Sequence, residues 1–530
     1  MAEIILFSDV NGALGVSRYA GPYRLATELR MNGFEVQVIE FFASIGVATI
    51  KKIIQVHVDK NTLFVGFSAT LWTKYLTDQE MEDTYTSNKK SIRSIIVDSM
   101  VSLFPYNDDE MKEIINEIHR NNSKTKIVVG GYKAANSYNT SNINFWILGQ
   151  GEVATVKLAR HLKFDEDLKC ISTDWGNILT DKMYPYDSFS TSTIKWHSSD
   201  FLFKGENVPI ETARGCIFKC SFCAFNLNGK KFGDYTKCKD TLQKELIHNY
   251  ETYGISEYMI SDDTLNDSMK KVEFLYNVIT SLPFKINFSA YGRLDVLGAN
   301  PDMAPMLKEM GLRSVEFGVE TMNKKTGKFI GKLGDRDKII KYLEDLKTQW
   351  KDDVYMAAGF IIGLPHEDEN SIRETMNWLY QKDNPLSGIQ MNRYWYHIPP
   401  TLNGTHMEAS KLKDAGFQLT PSGWVYENIS KIFSDPSAYG YDSTSMPTSQ
   451  SWKNTYLTTE IAENLEQEFY QDSRARQKNS MSIFQYYNRM RNIGYDHRQI
   501  KNLYTDDLVF VKSAIIKKNR IKNNYLGNIL

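Results

Sequence analysis

From the start of the chain to about residue 150, short and nearly uninterrupted apolar runs alternate with stretches whose apolar positions recur every three or four residues. The runs are EIILFSD (Glu3–Asp9), EVQVIEFF (Glu35–Phe42), TLFVGFSA (Thr62–Ala69), KIVVGG (Lys126–Gly131) and NFWILGQ (Asn144–Gln150). Such runs suit parallel strands covered on both faces. RYAGPYRLATELRMNG and DEMKEIINEIHRN between them read as helices. This βαβα rhythm predicts an α/β fold with a doubly wound, Rossmann-like sheet over residues 1–162, whose ligands sit beyond the carboxyl ends of the strands. Small residues gather at those ends: SDVNGALG after the first run, SAT after the third, GGY after the fourth and GQGE after the fifth. One such turn says little. Four at one edge predict a binding rim that includes Ser68, Thr70, Gly130, Gly131, Gly151 and Glu152.

Residues 163–207 lose the rhythm and read as a linker. A second alternation fills residues 208–400, with strands expected at VPIETARG, SEYMISDD (Ser256–Asp263), KINFSAYGR (Lys285–Arg293), SVEFGVE (Ser314–Glu320), YMAAGFIIG (Tyr355–Gly363) and GIQMNRYWY (Gly388–Tyr396). Helical stretches such as DTLQKELIHNYETYG and NSIRETMNWLYQK separate them. Six such units predict a partial (β/α)6 barrel with its reactive groups at the carboxyl ends. Residues 401–530 read as a mixed, mostly helical C-terminal region that supplies a substrate site or lid. From Phe510 onward there are lysines and an arginine but no acidic residue, which reads as a solvated tail.

Composition narrows the class. The chain is 42% hydrophobic and 24% charged, as a globular protein is, and its formal net charge of −1 creates no field for nucleic acid or an anionic membrane. The start, MAEIILFSDV, lacks a secretory pattern, and no run is long enough to span a bilayer. Five cysteines, three of them in one loop, make no disulfide framework and point to a reducing cytoplasm.

That loop is ETARGCIFKCSFCAF (Glu211–Phe225), with Cys216, Cys220 and Cys223 in the pattern C-x3-C-x2-C. A structural zinc site takes four ligands, so one would still have to come from elsewhere. Three thiolates on one loop instead suit three irons of a 4Fe–4S cluster, leaving the fourth iron open to an outside ligand. The pattern, at the end of a strand that opens an α/β region, resembles the radical S-adenosylmethionine (SAM) superfamily. GFIIGLPHE is similar to that superfamily's G-x-I-x-G-x-x-x-E strand through Gly359, Ile361, Gly363 and Glu367. The resemblance implies that this strand and Phe222 flank the adenine of SAM. It also implies that Glu320 accepts from the SAM amine or ribose, that Arg293 pairs with the methionyl carboxylate, and that Asp263 lies near the methionyl amine. Asp262 stands beside Asp263, with a helix cap as its alternative role.

The first domain resembles the cobalamin-binding domain of the cobalamin-dependent radical SAM subgroup, through GPYRLATELRMNGFEVQVIEF, FVGFSAT, IVVGG and ILGQGE. The resemblance makes the rim residues its cobalamin contacts. The D-x-H-x-x-G signature is absent, since Asp496 and His497 are adjacent, so no histidine is expected beneath the cobalt. Cys170 and Cys238 are too few for a second three-cysteine cluster, which argues against methylthiotransferases, and both read as packing residues. The resemblance implies methylation of an unactivated carbon through methylcobalamin and a 5′-deoxyadenosyl radical, with a flavodoxin or ferredoxin as electron donor. A cobalamin-containing radical cyclase or rearrangement enzyme shares the same motifs, and a non-catalytic cluster-binding or regulatory protein is the reading from another class. Tyr394, Trp395, Tyr396 and His397 are candidates for a substrate wall, and Ser437–Trp452 for a lid.

Overall fold

The first apolar runs become β1 (Ile4–Phe7), β2 (Val36–Ile39), β3 (Phe64–Ser68), β4 (Lys126–Gly130) and β5 (Phe145–Leu148) of a seven-stranded sheet. The computed structural model describes residues 2–9, 16–69, 105–131, 142–173, 176–186, 189–223, 235–393, 397–398, 417–421, 450–454, 459–472, 487, 490–496, 499–500 and 508–530. Strands β1 to β5 are parallel, in the order β2-β1-β3-β4-β5. The order reverses between β1 and β3, which opens a crevice at their carboxyl ends. The helices Ala20–Met31 and Glu152–Phe164 pair with one another, as do Val47–His57 and Asp108–Asn121, in the doubly wound arrangement expected.

The segment expected as a linker does more than connect. It contributes β6 (Ile171–Thr173) and β7 (Gly176–Thr180), with β7 parallel to β5 and β6 antiparallel at the sheet edge. Ile194 and Trp196 are then buried, with the Trp196 ring 4.4 Å from that of Tyr23, and join an apolar core that continues from the first sheet into the second domain. Arg30 of the first helix and Arg18 just before it seal this wedge: Arg30 pairs with Asp200 at 2.7 Å and Arg18 with Glu206 at 2.6 Å.

The second alternation forms β8 (Asn207–Ile210), β9 (Glu257–Ile260), β10 (Asn287–Gly292), β11 (Leu312–Glu320), β12 (Tyr355–Ile362) and β13 (Gly388–Arg393). They pair in sequence order, all parallel, as a partial (β/α)6 barrel requires. Near the ends of β11 and β12, the Thr321 hydroxyl donates to the Glu367 carboxyl at 2.6 Å, and burial pushes that carboxyl up to about 8.

Beyond the barrel, β14 (His397–Ile398), β15 (Phe417–Pro421) and β16 (Gln450–Asn454) form a small antiparallel sheet, followed by the helices Thr459–Gln471 and Leu508–Ile529. Tyr394, Trp395 and Tyr396 lie outside the described residues, as does residue range 437–449 of the candidate lid; residues 450–452 belong to β16. The lysine-rich end is a helix docked on the first domain, and the expectation of a solvated tail is corrected. Ala514, Ile515, Tyr525 and Ile529 bury at helical spacing, and Lys518 is buried with them. The Tyr525 hydroxyl accepts from the Glu40 amide at 3.0 Å and donates to the Val38 carbonyl, and Lys522 donates to the Ser44 carbonyl at 3.2 Å.

Two outcomes follow. Tyr525→Phe leaves the buried Glu40 amide without its acceptor, so it is expected to destabilise the first domain by about 1–3 kcal/mol in a urea titration; an unchanged curve would remove the helix from that domain's support. For Glu367, the folded chain retains a proton between its ordinary value of 4.5 and about 8 that the unfolded chain has released. Stability therefore falls as pH rises through that window. Glu367→Gln, which cannot ionise, is expected to flatten the fall, read as thermal midpoint against pH.

Candidate active site

The cysteine loop leaves β8 at Glu211 and is fixed at its entry by a carboxylate from the end of β9. Asp262 Oδ1 accepts from the amides of Thr212 and Ala213 at 2.7 and 2.9 Å, while Oδ2 accepts from the Thr212 hydroxyl and lies 3.0 Å from the Lys271 ammonium. Lys271 is itself fully buried and donates to the Thr264 carbonyl at 2.7 Å. Asp262 therefore does not cap the next helix; Ser268 does, accepting from the Lys271 amide. Its burial beneath the loop makes it a support of the cysteines.

The thiols lie among hydrogen-bond partners. Cys216 Sγ is 3.6 Å from the Thr264 hydroxyl, and Cys220 Sγ accepts from Arg293 Nη1 at 3.1 Å. The Ser221 amide donates to the Ile330 carbonyl at 3.2 Å and its hydroxyl to the Phe329 carbonyl at 3.3 Å, stitching the loop to the turn after the helix Lys324–Ile330. Cys216, Cys220 and Cys223 form no disulfide, and the first two are buried. Among the described residues no three His, Cys, Asp or Glu side chains form a group that could hold a single metal ion. Three soft thiol donors, each able to bind a different iron, fit a multinuclear cluster.

Beside the loop, the remaining expected residues form a face. Along β12 and just past its end, Gly359, Ile361 and Gly363 are partly exposed while the alternate residues Ala358, Phe360 and Ile362 are buried, so one face of the strand is open. Glu320 ends β11 at φ +69°, where the register with β12 slips between Gly318 and Glu320. A left-handed backbone at a non-glycine residue stores about 1–3 kcal/mol of strain and is characteristic of functional positions. Lys332, which the sequence did not single out, donates to the Gly318 carbonyl at 2.8 Å, lies 3.6 Å from Glu320 Oε1, and stands 5.8 Å from the Phe222 ring centre. Burial raises the Glu320 carboxyl, and Lys332 opposes that rise. Asp263, at the end of β9, is pushed up to about 6 by burial and by the neighbouring Asp262 charge. Arg293 stands at the end of β10 as expected, but its fork already grips Asp295, with Nε and Nη2 at 2.9 and 2.5 Å. Four of its five N–H groups are engaged, so no free fork remains for the bidentate carboxylate contact expected of it.

The rim of the first sheet borders a cavity of about 260 Å³. Ser68, Gly130, Gly131, Gly151 and Glu152 line it, as expected; Thr70 lies outside the described residues. Side chains at two of its glycines would crowd the wall, 3.3 Å from the Ile147 carbonyl at Gly130 and 3.2 Å from Ile147 Cγ2 at Gly151. Glu211 and Arg214 of the cysteine loop reach the same cavity. Arg214 pairs with Glu152 at 2.5 Å and bidentately with Glu211, while Arg24 Nε stands 3.7 Å from Glu152 and 3.8 Å from Glu211. Nothing in a linear sequence signals that Arg214 faces another domain.

Comparison with known proteins agrees with this geometry. Residues 210–379 match the radical SAM superfamily. An uncharacterized methyltransferase of Pyrococcus horikoshii is 29% identical over 185 residues, 34% of this chain and 39% of that protein. The anaerobic magnesium-protoporphyrin IX monomethyl ester cyclase of Cereibacter sphaeroides is 26% identical over 251 residues, 44% of this chain and 35% of that protein. The chain thus spans little more than a third of these curated relatives. Among solved structures, the radical SAM methyltransferase TsrM from Kitasatospora setae, with cobalamin and a 4Fe–4S cluster bound, matches 97% of this chain and 100% of its own, with a TM-score of 0.63 and 14% identity. The cobalamin-dependent radical SAM enzyme OxsB with aqua-cobalamin bound matches 82% of this chain and 56% of its own, with a TM-score of 0.51 and 14% identity. Residues 210–379 are a radical SAM domain, and they stand in a chain with the fold of the cobalamin-dependent radical SAM enzymes.

Proposed function

We propose that the chain is a cobalamin-dependent radical SAM methyltransferase acting on an unactivated carbon. The observation that carries the reading is that Glu211 and Arg214 of the cysteine loop line the cavity of the first sheet, so the two cofactor sites share a wall. When bound, the cluster supplies the electron that cleaves SAM to a 5′-deoxyadenosyl radical, and cobalamin supplies the methyl carrier.

The chain's own part is binding, orientation and exclusion of water. Cys216, Cys220 and Cys223 hold three irons. Glu320 and Asp263 accept from the SAM ammonium and ribose hydroxyls, and Lys332 meets the methionyl carboxylate as a mobile point charge. Gly359, Ile361 and Gly363 admit the adenine against the open face of β12, with Phe222 across from them. Ser68, Thr70, Gly130, Gly131, Gly151 and Glu152 form the corrin rim. The electron donor is a flavodoxin or ferredoxin in a reducing cytoplasm. The magnesium-protoporphyrin cyclase relative favours a second reading, radical chemistry without methyl transfer, which product analysis distinguishes.

The decisive experiment is anaerobic purification from cells supplied with cobalamin, followed by quantification of iron, sulfide and corrin. The methyltransferase reading expects one cluster and one corrin per chain; a cluster without corrin rejects it and leaves SAM cleavage standing. Cys220→Ala is expected to lose the cluster's iron and visible absorbance, and full iron content would dismiss the ligand assignment. Glu320→Gln is expected to keep the cluster yet weaken SAM binding by roughly ten- to a hundredfold, the effect of losing one charge-assisted hydrogen bond. Equilibrium binding at wild-type strength would clear Glu320 of that role.

A further inference from the structure

Arg293 is buried, and the directions of its hydrogen bonds are more informative than its charge. Nε and Nη2 hold Asp295, Nη2 also donates to the Gly331 carbonyl at 3.0 Å, and Nη1 points at Cys220 Sγ from 3.1 Å. The guanidinium carbon lies 3.8 Å from the centre of the Phe218 ring, two residues before that cysteine. Burial disfavours the Asp295 charge, but the hydrogen bond from Arg293 outweighs it and holds the carboxyl below its ordinary value. A fixed cation, clamped by a fixed anion, is thus aimed at one thiol of the loop.

We propose that Arg293 tunes the electron affinity of the cluster through Cys220, as a positioning residue, in place of the SAM-carboxylate contact its sequence position suggests. The inference rests on the cluster reading above. A thiolate bound to iron keeps lone pairs that accept an N–H bond, and hydrogen bonds to cluster sulfurs are among the determinants of reduction potential. When the cluster takes one electron from an external low-potential donor, its negative charge increases by one. A buried guanidinium in contact with a ligand sulfur favours that reduced state and raises the potential. Asp295 has the opposite sign of effect, yet it is also the clamp that turns Nη1 toward the sulfur. Lysine cannot substitute, because one ammonium on a flexible stem cannot hold Asp295, the Gly331 carbonyl and Cys220 together in one plane.

The test uses the full-length reconstituted protein with Arg293→Gln, Arg293→Lys and Asp295→Asn. Iron and sulfide are counted first. Each protein is then titrated anaerobically with titanium(III) citrate, without SAM, and the paramagnetic reduced cluster is followed by electron paramagnetic resonance. Arg293→Gln is expected to keep its iron and shift the midpoint to lower potential, with SAM affinity unchanged. Arg293→Lys should fall between Arg293→Gln and wild type. Asp295→Asn should shift the midpoint upward, because it removes the compensating anion and retains a hydrogen-bonding partner. If Arg293→Gln fails to load iron, the direction of the Asp295→Asn shift decides alone. Unchanged midpoints in iron-replete variants would overturn the proposal, as would loss of SAM binding at an unchanged midpoint, which returns Arg293 to the carboxylate. Absence of iron from the wild-type protein is a separate failure, that of the cluster reading itself.

Discussion

Asp262 is almost completely buried, and so is Lys271, the cation 3.0 Å from its carboxylate. Removing two such charges from water costs several kcal/mol each, and mutual attraction alone does not reliably offset that. Here every lone-pair direction has a further use. Two loop amides, one hydroxyl and the ammonium converge on the carboxylate, and the ammonium continues to the Thr264 carbonyl. Losing either partner would leave an uncompensated buried charge, which is far more damaging than the pair is stabilising. The consequence is a fixed entry to the cysteine loop. Gly215, at φ +113°, then turns the chain so that Cys216 comes to Thr264, a conformation that a side chain would strain. With Ser221 bound to the Phe329 and Ile330 carbonyls at the other end, the loop is held from both sides.

The same loop transmits its position to the first domain. Burial disfavours the Glu211 charge, but Arg214 overrides this and holds the carboxyl below its ordinary value, so the pair remains ionised. Arg214 also reaches Glu152, the first residue of the helix that follows β5, where a carboxylate additionally favours the helix dipole. Arg24 adds a second cation to the two carboxylates. Around this ionic bridge, Ile194, Trp196 and Leu246 continue the apolar core of the first sheet into the barrel. A rigid-body slide of one domain against the other would have to break both layers. That constraint suits the proposed placement of two cofactors on either side of a shared wall.

All five strands expected in the first sheet and all six in the second were legible, because a parallel strand covered on both faces writes itself as a continuous apolar run. The strands Ile171–Thr173 and Gly176–Thr180 escaped for the converse reason. The first is the edge strand and the second lies just inside it; both are short and carry serine, threonine and asparagine with little apolar run. The C-terminal helix was misread because its lysines dominate the composition, whereas burial follows the spacing of Ala514, Ile515, Tyr525 and Ile529. In the site, what was legible is placement: the three cysteines on one loop from their own spacing, and the border of the cavity, Thr70 apart, from glycines at strand ends. Arg293 was found in the right place with an unforeseen set of partners, since Asp295 lies only two residues beyond it and competes locally for the fork. Lys332 follows a stretch already rich in lysine, so only the fold distinguishes it.

That last pair bears on how the site divides its cations. A zwitterionic amino-acid end demands one anionic and one cationic partner, and the face beside the loop offers Asp263 and Glu320 against Lys332. Lys332 is held by one carbonyl and a carboxylate 3.6 Å away, contacts that a single ammonium can exchange for a ligand carboxylate by rotating its stem. Arg293 has no such freedom, because Asp295, the Gly331 carbonyl and the Phe218 face fix the plane of its guanidinium. A cation that must adapt to an arriving ligand and a cation that must keep one orientation toward a sulfur make opposite demands on a side chain. On the proposed reading the flexible point charge meets the first and the planar fork meets the second, so lysine at 332 and arginine at 293 each suit the work proposed for them.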